Sequence, residues 1–280
     1  MPSGRLKTYT TRKLPSSTWL NGNWLRAHLH ELRGRADEKL TFDVQPEIAR
    51  RLGYADRSNM TAAERLMKHY FVNAVEVGRL TRILCTRLEE ERTMRLPRLP
   101  KLLPKALQTD EAPGRPNLRI KNGRLDFESP AKARRQPRDL FRLFRAFGKQ
   151  PKIDFHPDAL ALVAGEVPSV TLEVRRDPTI AKLFAGILTA SEDPARVLRI
   201  MTETGLLGKY IPAFGSIVGR IDYGLYRRFT LDEHVLRCVG LLAQIHRGEV
   251  EGDHPIATHI VRNADNPLLY YYGVLLHEAR

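Results

Sequence analysis

The chain has 280 residues, 42% hydrophobic and 28% charged, which excludes a disordered polymer and leaves enough apolar material for a substantial core, most simply in two compact units. Its formal net charge of +14 invites a nucleic-acid reading. However, residues 92–138 hold 13 Lys/Arg against 4 Asp/Glu, and residues 1–30 add five basic residues with no acid. The excess therefore sits in a linker-like stretch and a tail, where it reads as solvated charge, and a nucleic-acid partner is not expected.

Residues 1–25 are rich in Ser and Thr and lack periodicity, which suits a targeting peptide or a disordered terminus equally. No run of eighteen apolar residues occurs, so no membrane partner is expected. Cys85 and Cys238 both fall among apolar residues in helical patterns and read as buried, reduced thiols of a cytoplasmic protein.

From Trp24 the pattern becomes helical. A short helix opens at Pro46 and stops at Gly53. Thr61 to Glu91 carries the strongest helical signal. Ala63, Leu66, Met67, Tyr70, Ala74, Val77, Leu80, Leu84 and Leu88 make one apolar stripe, and a stripe that long calls for partner helices in a bundle. Thr61 and Glu64 have capping-box spacing. Pro97, Pro100 and Pro104 then break the chain into an extended spacer. In "NLRIKNGRLDFES", Leu118, Ile120, Leu125 and Phe127 alternate around Asn122-Gly123, which predicts a two-residue type I′ hairpin packed on helices. Short helices follow in "RDLFRLFRAFG", "PDALALVAG", "PTIAKLFAGILTA" and "PARVLRIMTETGLLG". The last strong pattern, "FTLDEHVLRCVGLLAQIHRG", puts Leu231, Val235, Cys238, Leu241, Leu242 and Ile245 on one side.

Three residues are candidate metal ligands. His234 lies near the start of that helix, under Thr230 as N-cap, and Asp232 and Glu233 suit a helix N-terminus on dipole grounds alone. His277-Glu278 closes a hydrophobic helical run, "YYYGVLLHEAR". Imidazole and carboxylate both suit a divalent ion. Adjacent helical residues lie about 100° apart, so both reach one ion only if another helix brings further ligands, and His234 is the natural donor. From spacing alone a polar helix end is the favoured reading. Gly215-Ser216 followed by Asp222 imitates a nucleotidyltransferase motif, but the second carboxylate is missing. His254, His259 and Asp265 fall in a polar stretch that reads as a loop, without a role.

Longer runs carry a resemblance. "RAHLHELRGRADEKLTFDVQPEIARRLGYADR" and "AERLMKHYFVNAVEVGRLTRIL" resemble the central helical region of the bifunctional protein-PII uridylyltransferase/uridylyl-removing enzymes. "DPARVLRIMTETGLLGKYIPAFGSIVGRIDYGLYRRFTLDEHVLR" resembles the approach to their HD-type phosphohydrolase domain, and the likeness runs from Arg26 to Arg280. It implies a nitrogen-status enzyme that adds UMP from UTP to PII when glutamine is low and hydrolyses it off when glutamine is high. It implies a divalent ion, Mg2+ or Mn2+, with His234 as the first HD histidine and His277 as the histidine of the His-Asp pair. Glu278 stands where the pair has Asp, and Arg227 where relatives carry His. The resemblance also implies that the transferase motif, the remaining HD ligand and the glutamine-sensing ACT domains lie outside this sequence. The chain then reads as an internal piece of the enzyme, unable to transfer and at best weak in removal. A non-catalytic helical module that binds PII is the alternative.

The expected fold is mainly α, a helical bundle with one small β-hairpin followed by the first helices of an HD domain. Its expected divisions are a tail (1–25), a bundle (26–95), a Pro-rich basic linker (96–116), the hairpin with its helical continuation (117–208) and a partial HD domain (209–280).

Overall fold

A computed structural model describes residues 22–57, 60–93, 117–150, 152–221 and 229–279. The basic spacer, nearly all of the tail, Asp222 and Arg227 lie outside the described residues. The chain divides into two compact units, Met1–Asn73 and Ala74–Arg280.

In the first unit, α1 (Gly22–Arg33), α2 (Gln45–Arg51) and the opening of α3 (Ala62–Thr93) meet around Leu25, Leu29, Val44, Ile48, Ala49 and Leu66. Pro46 stands in the first turn of α2, where a missing N–H costs nothing. The capping box forms as expected. The Glu64 N–H donates to Thr61 Oγ1 at 3.2 Å, and the Thr61 N–H donates back to Glu64 Oε2 at 2.7 Å.

The stripe of α3 is buried only in part. Ala63, Leu66 and Met67 are buried, whereas Leu80, Leu84 and Leu88 are 52%, 59% and 48% exposed. A 3.6-residue period thus identified the helix correctly, but did not establish what covers its apolar face.

The second unit gathers one core. Its hairpin, β1 (Leu118–Lys121) and β2 (Arg124–Phe127), pairs Leu118 with Phe127 and Ile120 with Leu125. Asn122 and Gly123 have φ of 52° and 76°, as a type I′ turn requires. A third strand, β3 (Asp154–Phe155), adds parallel to β2, and two residues are too short to leave an alternation in sequence. Asn117 clamps the open end of the hairpin. Its Nδ2 donates to the Ser129 carbonyl and to Asp139 Oδ2, and its Oδ1 accepts from the Ser129 N–H. Asp139 belongs to α5 (Pro137–Gly148), which follows α4 (Pro130–Arg135) and carries the buried Leu140, Phe141, Leu143, Phe144 and Phe147.

Helices α6 (Pro157–Glu166), α7 (Leu172–Arg176), α8 (Pro178–Ala190) and α9 (Pro194–Glu203) then wrap this aromatic centre. Of α4 to α9, five open on proline, and Ser129, Thr171, Asp177 and Asp193 each cap a following helix through the side chain. Two short helices, α10 (Leu206–Tyr210) and α11 (Pro212–Ile217), cross at glycines: a Cβ on Gly215 would lie 2.6 Å from the Gly208 carbonyl oxygen. Gly215 therefore serves helix packing, which accounts for the Gly215-Ser216 pair without a nucleotide.

The chain ends in α12 (Leu231–Arg247), α13 (Pro255–Arg262) and α14 (Leu268–Leu276), whose buried residues join the same core. Three expectations are corrected here. The stretch around His254 and His259 is helical, because Pro255 starts α13 and Thr258 and Val261 supply a buried face. On α12 the buried side is Leu231, Val235, Leu236, Val239 and Leu242, while Leu241 is exposed. Neither cysteine is buried: Cys85 is exposed on α3 and Cys238 is half-buried.

Candidate metal centre

The start of α12 is fixed from several directions. The Leu231 N–H donates to the Arg220 carbonyl at 2.8 Å, and Asp232 Oδ1 accepts from the Gly219 N–H at 3.1 Å. Burial pushes the Asp232 carboxyl up despite those hydrogen bonds. Thr230 sits at the N-cap position in extended conformation, without a side-chain cap bond. Glu233 accepts two hydrogen bonds from Arg199 of α9, both 3.0 Å, and one from Arg237 at 2.9 Å. Burial works to raise its carboxyl, but these guanidinium bonds outweigh it and hold the group low. Both acids thus serve the scaffold, as their helix-terminal positions suggested, and His234 is the next side chain of this first turn.

It faces the end of α14. Tyr271 and Leu275 bury α14 against the core, and the Tyr271 hydroxyl meets His246 Nδ1 at 3.2 Å. This contact joins the later part of α12 to the earlier part of α14, so the two helices run in opposite senses. The start of α12 thereby meets the end of α14. His277 follows α14 as its C-cap. Its Nδ1 lies 2.7 Å from the Val274 carbonyl oxygen, an acceptor, so Nδ1 donates there and Nε2 is the ring nitrogen turned toward Glu278.

The three predicted ligands come together. Glu278 Oε1 is 3.4 Å from His277 Nε2 and 3.9 Å from His234 Nε2, and one ligand atom from each residue lies within 4.8 Å of the others. The His234 and His277 rings are 5.7 Å apart, edge to face. Glu278 is the most enclosed, with 17% of its side chain exposed. The extra methylene of Glu over Asp does not take the carboxylate out of reach. An ion about 2.1 Å from each donor holds any two at most about 4.2 Å apart, so closing the set needs only a small side-chain adjustment. Two imidazole nitrogens and one carboxylate oxygen suit a divalent ion, and the hydrogen bond from His277 to a backbone carbonyl is the usual outer support of a metal-binding histidine. The residues present therefore fit a divalent metal.

His254, His259 and Asp265 take no part. His259 Nδ1 instead lies 3.2 Å from Asn263 Nδ2. One neighbour was missed in the sequence pattern, which counts Cys238 only as an apolar position. Its Sγ lies 3.7 Å from His234 Nε2. The signal for it was the spacing, since residues four apart share a helix face.

Residues 19–85 match the family described as GlnD PII-uridylyltransferase, and residues 118–210 match the uridylyltransferase GlnD third domain. Curated proteins named bifunctional uridylyltransferase/uridylyl-removing enzyme are similar over 91% of the chain. The one from Phenylobacterium zucineum is 38% identical over 255 residues, and the one from Nitrobacter winogradskyi 40% over 258. A relative from Caulobacter vibrioides is likewise 38% identical. The chain spans 27% and 28% of the length of the first two relatives. No solved structure matches it.

Proposed function

The chain belongs to the family of bifunctional uridylyltransferase/uridylyl-removing enzymes, and from that premise we propose that it serves the removal reaction, hydrolysis of UMP from uridylylated PII. The observation that carries this reading is the convergence of His234, His277 and Glu278 on one point. When bound there, a divalent ion such as Mg2+ or Mn2+ supplies Lewis-acid activation of water and of the phosphoryl oxygens. The protein's own part is positional. Val274 fixes the tautomer of His277, so that Nε2 is turned toward the site. Glu278 contributes the negative charge and is the least exposed donor. Three donors leave positions open for water and a phosphate oxygen.

The test is UMP release from uridylyl-PII by the 280-residue chain with Mn2+ or Mg2+. Slow, metal-dependent release that disappears in His234→Ala and His277→Ala supports the reading, and release that survives both substitutions overturns it. No transfer of UMP from UTP to PII is expected from this chain. A second reading, a non-catalytic module that docks on PII, draws on the exposed Leu80, Leu84 and Leu88 of α3. Capture of the chain on immobilised PII without turnover, lost in Leu84→Glu, would favour it.

A further inference from the structure

The second unit also holds a cavity of about 330 Å³ where the corner between α4 and α5 faces α7 and α8. Its walls carry Arg135, Arg138 and Arg142 against one acid, Asp177, while Val174 and Ile180 supply an apolar side. Arg138 and Arg142 stand one turn apart on α5 and so share a face. The neighbouring acids leave most of their donors unused. Arg138 donates from Nε to Asp177 Oδ2 at 2.6 Å, and Asp177 also accepts the Thr179 N–H as the cap of α8. Arg142 donates from Nη1 to Asp139 Oδ1 at 2.8 Å, and the other oxygen of this buried acid takes Asn117. Each guanidinium has five N–H donors, and these contacts use one from each. Arg135 is exposed and, among the described residues, has no hydrogen bond or ion pair. Gln136 closes α4 and opens α5 without a side-chain cap bond, and Gln136, Pro137 and Arg138 all line the cavity. The positive end of α5 therefore adds to the three cations.

We propose that this cavity binds a phosphate or phosphate-monoester dianion. Even with Asp139 counted beneath the wall, three cations meet two acids, and the uncapped start of α5 adds partial positive charge. Planar guanidinium forks match phosphate oxygens in pairs. A phosphoryl group offers three acceptor oxygens to donors arriving from three side chains, whereas a carboxylate offers only two. The volume is at the small end of the range for ligand sites. Free phosphate fills only part of it, and the apolar side at Val174 and Ile180 leaves room for the organic group of an ester. This site shares no residue with the metal centre.

The experiment is isothermal titration of the 280-residue chain with inorganic phosphate, UMP and succinate at constant ionic strength. EDTA in the buffer keeps divalent ions from His234, His277 and Glu278, so binding there is not what is read. Saturable binding of one phosphate per chain is expected, with succinate clearly weaker. Arg135→Gln and Arg138→Gln should each weaken phosphate about tenfold, as loss of a charged hydrogen-bond donor does. Arg134→Gln, which lies outside this cavity, should change nothing. Arg142 is left in place because it is the counter-ion of buried Asp139, whereas exposed, unpaired Arg135 can be replaced without disturbing the fold. UMP tighter than phosphate identifies an ester as the ligand, and equal affinities identify the phosphoryl group alone; either supports the proposal. No saturable binding, succinate as tight as phosphate, affinity unchanged in Arg135→Gln and Arg138→Gln, or an equal loss in Arg134→Gln would overturn it.

Discussion

His234 on α12 and Glu278 beyond α14 stand 3.9 Å apart, although 44 positions (278 − 234) separate them in the chain. Glu278 supplies charge to that meeting point, and its charge is what an ion would need. Glu278→Gln keeps shape and hydrogen bonding but removes the charge. It should weaken divalent-ion affinity by at least the roughly 10–100-fold that changes around metal ligands cost. Glu278→Asp retains the charge and should weaken it less. Competition against a chelating dye measures both.

Gly215 and Gly208 bring two helices to backbone contact, and nothing flexible stands there to yield. Gly215→Ala places a Cβ 2.6 Å from the Gly208 carbonyl oxygen and should cost about 1–3 kcal/mol, as overpacking does. Gly165→Ala on α6 meets nothing within 4 Å and should be neutral or stabilising by up to about 1 kcal/mol. Urea unfolding of the two variants checks the opposite signs.

At the hairpin, Gly123 holds φ of 76° with open space around its missing Cβ. Gly123→Val should therefore destabilise through backbone conformation alone, by about 1–2 kcal/mol. A thermal melt that shows no shift would contradict the turn assignment.

His246 makes stability depend on pH. Burial, then the charges of Arg247 and Arg262, hold its imidazole below its ordinary value of 6.5. The folded state thus binds the proton less readily than the unfolded chain. This contribution to stability is present above the unfolded value and is lost as pH falls through the folded one. His246→Gln should flatten the stability profile just below about pH 6.5. An unchanged profile in denaturant titrations at several pH values would contradict this.

Local signals in the sequence proved the most legible. Asn122-Gly123 and its alternating flanks specified the hairpin to the register, and Thr61 with Glu64 specified how α3 begins. Both are short-range, so the residues that decide them are neighbours. Long-range facts were harder. Leu80 and Leu84 have the period of a buried stripe yet are exposed, because periodicity describes a face and not its partner. The meeting of His234 with His277 depends on how α12 packs on α14, through contacts such as Tyr271 with His246, which spacing does not encode. Spacing offered His234 as a partner yet favoured a polar helix end, and the resemblance to a family tipped the reading toward a shared site. Cys238 was overlooked for a related reason: a thiol at an apolar position looks like core until its neighbour is seen.

Isothermal titration of the metal-free chain with Zn2+, alongside His234→Ala and His277→Ala, tests the metal centre most directly. Saturable uptake of a single ion per chain, lost in either variant while the fold is retained, is the predicted result. Equal uptake by all three proteins, or none by the unaltered chain, would contradict it.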